Sequence, residues 1–139
     1  MDILARREHS RLELEQKLRG RADNNETLTA ALDQLTTEKL LSDERFCEAF
    51  IRSRMNGGYG PARIRAELKE RGISEALITR YLDEKDGGWL ERLADIIDRK
   101  FGSEPDQDLK SLAKRQRFLL QRGYTFDQIR AVLHNTNLD

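Results

Sequence analysis

The chain is predicted to be all-α and built from tandem three-helix units. Three observations predict this: apolar residues recur at three and four positions, helix starts and stops punctuate the chain at short intervals, and whole units match at offsets of 50 and 51 residues. No segment needs a strand to account for it.

From the beginning, Ile3 to Arg7 reads as the last turns of a helix whose start lies upstream of Met1 or is missing. Ser10 to Arg21 forms a helix through Leu12, Leu14 and Leu18, the turn Asp23, Asn24, Asn25 follows, and Leu28, Ala31, Leu32 and Leu35 mark the next helix. The most legible stretch is Leu40 to Ser74. Ser42 caps a helix there, Asp43 and Glu44 suit its positive end, and Leu41 can staple to Phe46. Phe46, Cys47, Phe50, Ile51 and Met55 make one apolar stripe, with Arg45, Glu48 and Arg52 opposite. Gly57, Gly58 and Gly60 end this helix. Pro61 opens the next, where a missing N–H costs nothing, and Gly72 ends it, where a left-handed residue is wanted. Ile64 and Leu68 are its buried ridge, and Arg63–Glu67 and Glu67–Arg71 stand at i,i+4 spacing. A further copy of the first helix runs from Gly88 to Phe101, with Leu90, Leu93, Ala94, Ile97 and Phe101 on one side, before a longer loop, Gly102 to Gln107, that contains Pro105.

The internal repeat ties these elements together. A shift of 50 places Leu14 on Ile64, Leu18 on Leu68, Leu28 on Ile78 and Leu32 on Leu82; a shift of 51 places Leu68 on Leu119, Arg71 on Arg122, Gly72 on Gly123, Ser74 on Thr125 and Ile78 on Ile129. The caps repeat too: Ile73 can staple to Ile78 as Tyr124 can to Ile129, and Thr125 with Gln128 makes a capping box. The units expected are 1–41, 42–86 and 87–139. Cores this small are expected to stack end to end or to bend at joints near Leu41 and Gly87–Gly88, with Trp89 closing the second joint.

Composition narrows the function. With 139 residues, 37% hydrophobic and 36% charged, the chain has small cores and much solvated helix surface. Charge is balanced overall but segregated: Arg52 to Gly72 carries six Lys or Arg against two Glu, Lys110 to Arg122 five bases and no acid, and Asp83 to Asp108 nine acids against four bases. One cysteine excludes an internal disulfide and a cysteine metal cluster, and no apolar run approaches the ~18 residues of a membrane span, so a soluble cytoplasmic protein is expected.

Catalytic chemistry finds little material. His9 and His134 are the only histidines, and Cys47 lies within the apolar stripe as a structural thiol rather than a nucleophile. The GGYG of Gly57 to Gly60 follows a helix and lacks the Lys and Ser/Thr of a phosphate loop, so it reads as an interhelical turn. Tyr59 is either a contact residue there or a ring laid over the helix end. The remaining signal is basic: Arg11, Lys17, Arg19 and Arg21, then Arg63, Arg65, Lys69 and Arg71, then Lys114, Arg115, Arg117 and Arg122 all fall on the second helix of a unit or at its end. In register, they would form a discontinuous track suited to an acidic protein surface or a phosphate backbone, or simply a solvated face.

The block LLSDERFCEAFIRSRMNGGYGPARIRAELKERGIS from Leu40 to Ser74, with LARREHSRLELEQKL from Leu4 to Leu18 and QRGY from Gln121 to Tyr124, closely resembles the RecX family of bacterial regulators of the RecA recombinase. The resemblance covers nearly the whole chain and is most specific in the middle block. It implies tandem three-helix repeats in an elongated, curved molecule. It further implies binding in the groove of the RecA filament on DNA, lowering strand exchange, ATP hydrolysis and repressor cleavage in the SOS response, with no catalytic residue; metal-ligand spacing is absent from the sequence, and no cofactor or metal is expected. One departure is the start, where the family pattern has a fuller first helix than Met1 to Arg7 provides. The residues expected to meet RecA or the DNA backbone, single- or double-stranded, are Arg52, Arg54, Tyr59, Arg63, Arg65, Lys69, Arg71, Lys114, Arg115, Arg117 and Arg122, in a monomer without membrane contact. A different class, a helix-turn-helix DNA-binding protein, is the second reading, from the outline of Pro61 to Arg71, a turn, and Ser74 to Glu84. The latter segment offers only Thr79 and Arg80 among core-type residues.

Overall fold

The computed structural model describes residues 7–21, 24–85, 88–102 and 108–137. Eight helices and no strands occur among them: α1 Arg11–Leu18, α2 Asn25–Thr37, α3 Asp43–Asn56, α4 Pro61–Glu70, α5 Glu75–Tyr81, α6 Gly88–Phe101, α7 Leu109–Gln121 and α8 Phe126–Asn137. The expected helix tail at 3–6, the turn residue Asp23, the joint residue Gly87 and the loop with Pro105 lie outside the described residues.

Helix starts follow the chemistry of their caps. The Ser42 hydroxyl accepts from the Arg45 N–H at 3.2 Å, Ser74 from Leu77 at 3.3 Å, and Thr125 and Gln128 close the expected box at 3.1 and 2.9 Å. Ser10 and Glu13 form another capping box at the start of α1, at 3.1 Å in both directions. Asn24 and Asp108 cap α2 and α7, each accepting at 2.7 Å. At the far ends of α4 and α7, Gly72 and Gly123 take positive φ, +79° and +100°, the left-handed stop expected of them.

The chain divides into two compact units, one of Met1–Arg52 with Glu67–Tyr81, the other of Ser53–Ala66 with Leu82–Asp139. In the first, Leu14, Leu28, Leu32, Leu35 and Leu41 cluster with Leu18 packed against them, and Phe46, Cys47, Ile51, Leu68, Ile73 and Ile78 are also buried. Ala31 is exposed, since the buried ridge of α2 runs 28, 32, 35. In the second unit, α8 packs on α6 and α7, and Ile64, Leu82, Leu93, Ile97, Leu119, Tyr124 and Ile129 are buried.

The phase of α6 differs from expectation. Trp89, Leu93 and Ile97, at i, i+4 and i+8, form its buried ridge, which turns Leu90 (38% exposed) and Ala94 outward. The indole decides this. Its N–H donates to the Asp83 carbonyl at 2.6 Å and its ring meets Tyr124 edge-on at 6.2 Å, so a large amphipathic ring outcompetes a leucine for the interior.

Candidate partner-binding surface

The Gly-rich turn after α3 holds Tyr59 half-buried above the helix it follows. Its N–H donates to the Arg54 carbonyl at 3.0 Å, and a Cβ at Gly57 would stand 3.3 Å from its ring. Three guanidinium groups surround the ring: Arg63 at 4.5 Å, Arg122 at 4.8 Å and Arg54 at 5.2 Å from its centroid. Like charges gathered this closely need compensation, which the face of the ring and carbonyls at helix C-termini supply. Arg63 donates to the Gln121 carbonyl at 3.0 Å and Arg122 to the Gly57 carbonyl at 3.3 Å.

Beneath this cluster the contact is main chain on main chain. The Gly60 N–H donates to the Arg122 carbonyl at 2.7 Å and the Ala62 N–H to the Gly123 carbonyl at 2.9 Å. A Cβ at Gly60 would lie 2.5 Å from the Gly123 carbonyl carbon, and one at Gly123 would lie 2.3 Å from the Arg63 Cβ. The GGYG turn therefore spends its Gly60 N–H on the end of α7, as an interhelical turn does.

A related glycine contact lies earlier in the chain. A Cβ at Gly72 would lie 2.8 Å from the Leu12 Cβ; Gly72 maps onto Gly123 at the offset of 51, and Leu12 maps at the offset of 50 onto Ala62, the neighbour of Arg63. Here the surroundings are ionic. Arg71, the counterpart of Arg122, stacks on Phe50 at 4.8 Å, donates to the Glu67 carbonyl at 3.0 Å and reaches Glu13 at 3.6 Å. Burial pushes the Glu13 pKa up, but hydrogen bonds from Arg7 and the Ser10 N–H, with the charge of Arg7, outweigh it and hold the carboxyl below its ordinary value. His9, 2% exposed, bridges the Arg7 carbonyl at 3.1 Å and the Lys17 ammonium at 2.9 Å, so its Nε2 is the acceptor and its Nδ1 carries the proton. Burial, then the charge of Arg7, lowers its pKa despite the hydrogen bond to the Arg7 carbonyl.

The other cations expected to face a partner have different fates. Arg65 pairs with Glu84 at 2.7 Å, Lys69 with Glu75, and Arg115 stacks on Phe101 at 4.9 Å. Arg52 on α3, and Lys114 and Arg117 on α7, are exposed, and no head group among the described residues engages them. Lys110 joins the last two on the same side of α7. Sequence reasoning passed over it, although its spacing of four and seven from Lys114 and Arg117 was readable.

Cys47 is fully buried, and burial drives its thiol pKa up to about 11, which keeps it protonated and unreactive at neutral pH. Among the described residues no group of three potential ligands is placed to hold a metal, and no helix is long and apolar enough to cross a membrane. Helix α5, the would-be reading helix, buries Ile78 completely and lends its Leu77 carbonyl to the Cys47 sulfur at 3.9 Å.

Residues 42–82 match the family model described as "RecX, second three-helix domain", and residues 90–133 the one described as "RecX, third three-helix domain". "Regulatory protein RecX" of Pseudomonas putida is 48% identical over 139 residues, spanning all of this chain and 89% of the relative. The protein of the same name from Pseudomonas syringae pv. tomato is 47% identical over 133 residues, 96% of this chain and 86% of the relative. In fold, the chain is similar to the crystal structure of RecX from Lactobacillus salivarius, with a TM-score of 0.79 at 22% identity, covering 99% of this chain and 92% of that one.

Proposed function

The chain belongs to the RecX family, and from that premise we propose that it is a non-enzymatic cytoplasmic regulator that binds the RecA filament on DNA as a monomer. It lowers strand exchange, ATP hydrolysis and RecA-promoted repressor cleavage. The observation that carries this reading is the repetition of a basic second helix, α4 and then α7, each ended by a left-handed glycine that packs closely on another helix. Such a helix meets an acidic protein surface or a phosphate backbone without chemistry of its own. The chain is expected to be cytoplasmic because its one cysteine is a buried free thiol and its family partner is a DNA-bound recombinase.

Co-sedimentation with RecA filaments on single-stranded DNA, run across a salt series, tests it. The protein is expected to pellet with the filament at low salt and to release as salt rises. A folded protein that stays in the supernatant at every salt concentration ends the proposal. Charge reversal at Arg63, Arg65 and Lys69 is a compromised test, because Arg63 also holds the Gln121 carbonyl and the Tyr59 ring, and Arg65 and Lys69 are ion-paired. Lys114→Glu with Arg117→Glu changes exposed groups alone, and is expected to weaken inhibition of strand exchange by about tenfold.

A further inference from the structure

The exposed side of α7 carries two stripes. At about 100° per residue, Leu109, Ala113 and Leu120 fall within an arc of about 40°, and Arg117, Lys110 and Lys114 fill the adjoining arc of about 60°. All six are exposed: Leu109 is 84% exposed and Leu120 40%. The buried ridge of the helix, with Leu119, is elsewhere on the wheel, so Leu109 and Leu120 lie off the ridge that packs inward. No acid lies between Lys110 and Arg122, and among the described residues no head group engages the three cations. On α4, by contrast, Arg65 and Lys69 face carboxylates.

We propose that this two-striped face of α7 docks an acidic protein segment whose aliphatic side chains cover Leu109, Ala113 and Leu120 while its carboxylates meet Lys110, Lys114 and Arg117. The proposal rests on the family reading above and names the chemistry of the partner surface. Charge selects an acidic partner, and the apolar stripe separates protein from nucleic acid. A phosphodiester backbone uses cations and polar groups and gains nothing from an aliphatic row. An acidic helix or extended segment with interspersed Leu, Ile or Val uses both stripes at once, burying the leucines at the centre and leaving the ion pairs at the rim.

Placing a photo-reactive benzoylphenylalanine at Ala113, between the stripes, tests this in the full chain on RecA filaments assembled on DNA, with cross-links identified by mass spectrometry. The expected product joins Ala113 to a protein peptide rich in Asp and Glu and containing aliphatic residues. In parallel, Leu109→Ser with Leu120→Ser is expected to weaken co-sedimentation by about tenfold or more while circular dichroism stays unchanged. Cross-linking to DNA, or filament binding by the double serine variant equal to the unaltered protein, overturns the docking face and leaves the filament reading standing. Failure of the unaltered chain to co-sediment overturns both.

Discussion

The contact of Gly123 with Arg63 and the contact of Gly72 with Leu12 both set a left-handed glycine at a helix end close against the start of another helix, but they differ in chemistry. In the later joint, two main-chain hydrogen bonds and three guanidiniums around one tyrosine hold the end of α7 to the start of α4. In the earlier one, Glu13, Arg7, Arg71, His9 and Lys17 make an ionic collar around the start of α1. The difference teaches that the glycine fixes how closely two helices approach, while the groups that lock the approach are exchangeable. The later joint should therefore answer mainly to backbone changes and the earlier one to pH.

The largest expected effect is Gly123→Ala. Its φ of +100° and the 2.3 Å approach to the Arg63 Cβ leave no room for a methyl group, and the loss should be about 3 kcal/mol or more in urea unfolding. Gly72→Ala, with its nearest obstruction the Leu12 side chain at 2.8 Å, should cost about 2 kcal/mol. The reverse order would break the claim that the later joint answers mainly to backbone changes. Next comes the ring: Tyr59→Ala should cost about 1–2 kcal/mol and Tyr59→Phe under about 0.5, because the guanidiniums need the π face rather than the hydroxyl.

Acid sharpens the contrast further. His9 has a folded pKa below its ordinary 6.5, so the unfolded chain binds more protons in the window beneath 6.5, and stability there rises with pH and falls as pH drops. The depressed Glu13 pKa adds a second loss below its ordinary 4.5. Tyr124, raised by burial above 10.0, contributes stability that is present below 10.0 and lost as alkali rises through its folded value. Hydrogen exchange at pH 5.5 should accordingly show α1 loosening before α7 in the unaltered protein, and His9→Gln should remove that early loss. The smallest effect belongs to Arg71–Glu13: a double-mutant cycle should give about 0.2–1 kcal/mol, shrinking in high salt.

Much of the frame was legible because it depends on near neighbours. Ser42, Ser74 and the Thr125–Gln128 pair cap where local chemistry says they must, and Gly72 and Gly123 stop their helices at the expected residues. What escaped depends on distant ones. Arg65 and Glu84 are 19 residues apart, and Arg63 and the Gln121 carbonyl 58 apart, so no helical spacing announces either. Arg71 stands at i,i+4 from Glu67, and beyond that spacing it donates to the Glu67 carbonyl and reaches Glu13, a residue far away in the chain. The outward turn of Leu90 likewise followed from Trp89 finding a carbonyl and a tyrosine, contacts that only the assembled fold supplies.

The two amides that join α4 to α7 carry a last consequence. Because Gly60 and Ala62 donate to the carbonyls of Arg122 and Gly123, their protons are sheltered only while that seam is shut. They make the seam its own strain gauge: a load that pried the helices apart would appear as faster proton loss at two identifiable positions, with no label added.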